Sequence, residues 1–161
     1  NARFLIDYFG RCKSRIRHLD YGGGNGRLSQ ILQADCWDSS SFDPFPASDT
    51  QLDSLGKFNL ITAFEVFEHV PDPDKLMENI LQLMDQSCMF FFSTYVSDDF
   101  LKKHARITWW YCSPCNGHIS LFSSKSLALL GARHGLRFAS CNENLHCYTN
   151  AIPAWFGQIT G

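Results

Sequence analysis

The sequence predicts an α/β fold built on a mostly parallel, doubly wound sheet. Three observations lead there. Short apolar runs alternate with amphipathic stretches along the whole chain. The first of those runs ends in a cluster of glycines and a helical pattern follows at once. The apolar runs carry the β-branched and aromatic residues of buried strands, bounded by Gly, Pro and Asp.

The elements follow in order. Residues 3–13 read as a helix with Phe4, Leu5, Tyr8 and Phe9 on one side. Residues 16–21 read as the first strand, running into Gly22-Gly23-Gly24-Asn25-Gly26 and a helix whose apolar face is Leu28, Ile31 and Leu32. Residues 40–43 form a short second strand, stopped by Pro44 and Pro46. Residues 58–63 are a buried strand. Asp72 then caps a helix with Pro73 at its first position, and Leu76, Met77, Ile80, Leu81 and Met84 form its inner face. Residues 88–94 are a further central strand. Residues 95–122 are long, aromatic and irregular, the pattern of a functional loop. Ser123 or Ser124 caps a helix running to His134, Gly135 ends it, and residues 136–141 and 145–151 close the fold as a hairpin.

Composition bounds the function. The 161 residues suit one domain spanning 1–161, with 45% hydrophobic and 19% charged residues. The net charge of −2 lacks the basic footprint of a nucleic-acid binder. No apolar run nears the ~20 residues that span a bilayer, so no membrane partner is expected. Seven scattered cysteines, with no secretory signal before them, read as reduced thiols of a cytoplasmic protein. The chain opens on Asn1 rather than Met, so the reading expects an N-terminal piece to be lacking.

The most specific local feature is the glycine turn. Its glycines allow tight turning and close ligand approach, and the next helix offers free N–H groups. Asp43 follows Asp20 by 23 positions, at the end of the next strand, where an acid accepts from both hydroxyls of a ribose. The spacing is acid-x-G-x-G-x-G, not the G-x-G-x-x-G of a dinucleotide site: Arg27 and Ser29 stand where that pattern needs glycine. An acid at Asp20 suits a cationic amino group and would repel a pyrophosphate.

Four segments carry a resemblance to a known family. They are His18-Leu19-Asp20-Tyr21-Gly22-Gly23-Gly24-Asn25-Gly26, Ser41-Phe42-Asp43-Pro44-Phe45, the stretch 58–73 with Phe64-Glu65-Val66-Phe67-Glu68-His69-Val70, and Gly117-His118-Ile119-Ser120-Leu121-Phe122-Ser123. The sequence resembles class I S-adenosylmethionine-dependent methyltransferases, and among them the small-molecule branch that includes ubiquinone-biosynthesis O-methyltransferases. The resemblance implies a Rossmann-like seven-stranded sheet with an antiparallel last strand. It implies S-adenosyl-L-methionine as cofactor and a small-molecule methyl acceptor, with oxygen as the first choice of acceptor atom. Carried over residue by residue, Gly22, Gly24, Asn25 and Gly26 line the methionine part and Asp20 lies beneath its amino group. Asp43 with Pro44 holds the ribose, and Phe64 and Glu65 lie beside the methionyl and ribose portions. Only 14 residues separate Asp43 from Phe58, so the fold is expected to be shortened around its third strand. Residues 48–55, where the family places an adenine loop, are left without assigned contacts. The N-terminal lid helices of the family are expected to be mostly lacking from this sequence.

An acceptor oxygen or nitrogen can require a base. His118 and His69 are the candidates, while His18, His134 and His146 read as structural and His104 stays open. Tyr95, Trp109, Trp110 and Tyr111 suit an aromatic substrate pocket. Cys112-x-x-Cys115-x-x-His118 has metal-ligand spacing but lacks a fourth ligand pattern, so no metal is expected. Two other classes stay open: a methyltransferase-like binding domain without turnover, and a nicotinamide-dependent oxidoreductase.

Overall fold

The structure, a computed structural model, describes residues 1–44, 52–101 and 108–158. Helix α1 (Ala2–Phe9) buries Leu5 and Phe9, and a 3-10 turn (Gly10–Arg15) leads into strand β1 (Arg17–Tyr21). Helix α2 (Arg27–Ala34) and strand β2 (Asp38–Phe42) follow. Then come β3 (Phe58–Phe64), α3 (Pro73–Leu83), β4 (Met84–Ser93), α4 (Ser124–Arg133), β5 (Arg137–Ser140) and β6 (Leu145–Thr149).

The strands form one six-stranded sheet in the order β2-β1-β3-β4-β6-β5. β2, β1, β3 and β4 pair in parallel, and β6 runs antiparallel to both β4 and β5. The expected mostly parallel sheet with an antiparallel last strand is therefore present. It has one strand fewer than the family's seven among the described residues. The shortening lies where it was expected: between β2 and β3 the described residues hold a single 3-10 turn, Leu52–Ser54.

Two apolar layers fix the sheet. On one face Ile61, Phe90, Phe92 and Tyr148 pack with Leu76, Ile80, Leu127 and Leu130 of α3 and α4. On the other, Leu60, Met89 and Phe91 pack with Leu5, Phe9 and Leu32 of α1 and α2. Alternate residues of each strand supply the two layers, as the pleat requires.

The helix starts follow their caps. Asp72 accepts from the Lys75 amide at 3.0 Å, with Pro73 in the first turn. Ser123 Oγ accepts from the Ser126 amide at 3.1 Å, and Ser126 Oγ in turn accepts from the Ser123 amide at 2.8 Å. Ser123→Ala should lower stability by ~1 kcal/mol, read as a lower midpoint in urea. One boundary differs from the sequence reading. Met84 continues the apolar repeat of α3, yet its backbone is extended and it opens β4. Pairing with Phe58 claims it for the sheet.

No helix among the described residues is long and apolar enough to cross a membrane. All seven cysteines are unpaired.

Candidate active site

Strand order reverses between β1 and β3, so the turns after these strands splay apart and leave a crevice at the carboxyl edge. Gly22 from the first turn and Glu65 and Val66 from the second line it, with Asp43, His69 and Val70. Its volume is about 250 Å³. A second hollow of about 180 Å³ adjoins it at Val70 and is walled by Tyr21, Pro44, Pro71, Leu76 and Asn79. Asp43 borders the first hollow and Pro44 the second.

The glycine turn is locked to its neighbours. Asp43 points into it: Oδ2 accepts from the Gly24 amide at 2.6 Å. Gly22 has φ +74°, and a Cβ there would lie 2.5 Å from Val66 Cγ2. A Cβ on Gly23 would lie 2.5 Å from Asp20 Oδ2 and strike Ser41 Oγ. Gly23→Ala should therefore push the turn off Asp20, and a thermal melt with and without cofactor reads the loss.

Asp20 is the buried acid beneath this turn. Thr62 Oγ1 donates to its Oδ1 at 2.9 Å. The chain continues inward: His18 Nε2 lies 3.0 Å from Thr62 Oγ1, and Ser39 Oγ lies 2.8 Å from His18 Nδ1. Thr62 spends its proton on Asp20, so His18 must donate from Nε2 and accept from Ser39. Burial drives His18 down to about 3, which keeps it neutral. The sequence reading of His18 as structural holds. Burial pushes Asp20 up to about 6, opposed by the Thr62 bond and helped by the charge of Asp43. A cation placed beside Asp20 would reverse that shift.

Glu65 adopts a left-handed backbone, φ 56°, rare for a residue with a Cβ. Ser93 holds it there. The Glu65 amide donates to Ser93 Oγ at 2.8 Å, and Ser93 Oγ donates to Glu65 Oε1 at 2.7 Å. Sequence reasoning missed Ser93, because nothing local marks a strand-end serine as a clamp.

The acceptor side is built by zipping two loops together. Ile119 and Ser120 amides donate to the Glu68 carbonyl at 2.8 and 3.0 Å, and Ser120 Oγ donates to the Val70 carbonyl at 2.7 Å. This brings His69 and His118 to 5.0 Å between ring centres. His118 Nδ1 lies 2.8 Å from the Tyr111 carbonyl and His69 Nδ1 lies 3.1 Å from the Gly117 carbonyl. A carbonyl only accepts, so both imidazoles carry hydrogen on Nδ1 and, when neutral, a lone pair on Nε2.

Glu68 is the group that sequence reasoning passed over. Its side chain is fully buried and neither oxygen finds a hydrogen-bond donor. Burial raises its carboxyl, the Tyr111 hydroxyl beside it opposes that rise, and the charge of Glu65 adds to it. Glu68, His69 and His118 each offer a ligand atom, all within 4.8 Å of one another, so the three could hold a divalent cation. Cys112 and Cys115 join no such group among the described residues, and Cys115 Sγ instead contacts Ser113 Oγ at 3.0 Å. The Cys-x-x-Cys-x-x-His spacing therefore does not converge.

The aromatic residues divide. Tyr95 and Trp110 meet edge to face at 5.8 Å, with Trp110 61% exposed. Tyr111 is buried against the His118 ring at 4.0 Å, and its hydroxyl meets Thr94 Oγ1 and accepts from the Tyr95 amide. Trp109 is buried and stacks on Phe100 at 4.7 Å, so it supports the loop. Tyr95 also lines an open hollow of about 550 Å³ with Asn142, Glu143 and Asn144 of the β5–β6 turn. Phe64 is half-buried at the end of β3, and Asn25 is exposed in the glycine turn, its Oδ1 3.3 Å from the Arg27 amide. Gly26 takes the left-handed position before α2. His104 and residues 48–51 lie outside the described residues.

Known proteins share this fold. Residues 1–140 match the family described as "Methyltransferase domain". A ubiquinone biosynthesis O-methyltransferase of Colwellia psychrerythraea is 23% identical over 90 residues, 56% of this chain and 37% of that protein. The chain thus spans little more than a third of that relative's length. Among solved structures, an O-methyltransferase family protein from Burkholderia thailandensis aligns with TM-score 0.60 and 11% identity over 95% of this chain and 57% of that one. A SAM-dependent methyltransferase from Aquifex aeolicus aligns with TM-score 0.55 and 12% identity over 92% and 88%. At such identities the two structures establish the fold. The family implies S-adenosylmethionine, and the residues present fit it: a buried acid, Asp20, beneath the glycine turn, and Asp43 lining the crevice beside that turn. Sheet order, crevice and family match agree: this chain belongs to the methyltransferase domain family.

Proposed function

We propose that the protein transfers a methyl group from S-adenosylmethionine to a small-molecule acceptor, with oxygen as the accepting atom. The observation that carries this reading is Asp43, which lines the crevice and is held against the Gly24 amide of the glycine turn. Asp43 and Pro44 hold the ribose. Gly22, Gly24, Asn25 and Gly26 surround the methionyl part, and Phe64 and Glu65 close the crevice from the β3 side. When bound, the cofactor supplies an electrophilic methyl carbon, and the protein's task is alignment and exclusion of water. His118 Nε2 takes the acceptor's proton and His69 stands as the second base. Tyr95 and Trp110 form the wall on which a flat acceptor rests, and Trp109 and Tyr111 support it from beneath.

Asp20 gives this reading a pH signature. Its pKa is raised in the folded chain, so below the ordinary carboxylate range it contributes stability that is lost as pH rises through about 6. The ammonium group needs the ionised form. Affinity for S-adenosylmethionine should rise from pH 5 to 7 by about tenfold and then level off, and Asp20→Asn should abolish the slope. Calorimetry across that range reads both.

A second reading of the acceptor side is favoured by the unpartnered carboxyl of Glu68. A divalent cation on Glu68, His69 and His118 would polarise the acceptor oxygen in place of an imidazole base. Methyl transfer to a panel of phenols, followed with and without a chelator, separates the two. Activity indifferent to the chelator supports His118 as base. Activity lost and restored by a divalent salt supports the cation. No transfer to any acceptor by a protein that binds the cofactor leaves a binding domain.

A further inference from the structure

The two faces of the sheet are covered unequally. α4 packs on β5 from one side. On the other side, beside α1, the last two strands carry an open groove of about 620 Å³, within the range of small-molecule sites. Its floor is made of small side chains that alternate out of the pleat, Ala139 and Cys141 beside Cys147. Its wall is aromatic: Phe9 and Phe91 meet at 5.5 Å, and Phe4 adds an edge contact to Phe91 at 5.9 Å. Burial pushes the Cys147 thiol up to about 12, so the groove has no reactive thiolate there.

One residue that carries a formal charge lines this surface, Arg137, at the start of β5. Among the described residues no carboxylate pairs with it and no acid lines the groove. Arg137 and Cys141 are four residues apart, about 13 Å along the strand, the reach of roughly ten chain carbons. An apolar trough of that length with one unpaired cation at its end complements an anionic head with a single apolar tail. We propose that this groove binds a medium-chain fatty carboxylate, its head on Arg137 and its chain along Ala139 toward Cys141. The groove shares no lining residue with the crevice at Asp43, so this proposal and the methyl-transfer reading stand or fall separately.

The test is titration of sodium dodecanoate into the intact protein, read by calorimetry and by displacement of an apolar fluorescent dye. Saturable binding of one dodecanoate per chain is expected. Arg137→Gln should weaken dodecanoate by about tenfold while leaving dodecanol unchanged. Ala139→Trp places an indole on the exposed floor and should abolish both, with an unchanged melting temperature showing that the fold is kept. Absence of saturable binding overturns the proposal, as does dodecanoate binding that survives Ala139→Trp. Equal weakening of acid and alcohol by Arg137→Gln overturns the head-group assignment. A dimer of the wild type that Ala139→Trp splits would assign the groove to a second copy and overturn the proposal.

Discussion

Asp43→Ala is expected to weaken S-adenosylmethionine binding by a hundredfold or more while leaving the melting temperature of the free protein nearly unchanged. The carboxylate lines the crevice, where both hydroxyls of a ribose would donate to it. Hydrogen bonds to a charged acceptor contribute ~1.5–3 kcal/mol each, and two are lost together. The side chain is half-exposed and does not hold the core, so stability should barely move. A second loss is local: Asp43 anchors the Gly24 amide, and without it the turn is less well ordered before binding. Asp43→Asn keeps one acceptor and the shape, and should fall between wild type and alanine. Calorimetric titration measures the series. Wild-type affinity in the alanine variant would place the ribose elsewhere.

Phe67→Ala should cost ~3–5 kcal/mol of stability, the largest effect expected from a side chain near the crevice that touches no ligand. Phe67 is fully buried and stacks on Phe92 at 4.3 Å, with Phe90, Phe122 and Tyr148 around it. It sits one residue before Glu68 and two after Glu65, so it pins the turn after β3 to the core. For a chain of this size each kcal/mol lowers the melting temperature by ~2–4 °C, so a drop of about 10 °C is expected. Phe67→Leu keeps most of the volume and should lose about a third as much. Thermal and urea unfolding check the pair. A loss below ~1 kcal/mol for the alanine variant would show that the turn is held by its hydrogen bonds instead.

What could be read from the sequence was local. The glycine turn, Asp43 at the end of β2, and the caps Asp72 and Ser123 each carry their physics within a few neighbouring residues. Pro73 and Gly135 mark helix ends for the same reason. Met84 was misplaced because its apolar spacing serves a helix face and a strand equally well, and only the pairing with Phe58 decides. Glu68 was overlooked because its neighbours in space, His118 and Tyr111, lie 50 and 43 positions along the chain. Its meaning comes from burial without a partner, which no spacing announces. Trp109 and Trp110 are adjacent and alike in sequence, yet one stacks on Phe100 and the other faces solvent beside Tyr95. A loop without periodicity does not tell which aromatic turns inward.

Calorimetric titration of the intact protein with S-adenosylmethionine, paired with NADH as the competing nucleotide, tests the central claim most directly. The account predicts saturable one-to-one binding of the sulfonium compound, strengthening from pH 5 to 7, and no binding of NADH. Binding of NADH with none of S-adenosylmethionine would contradict it.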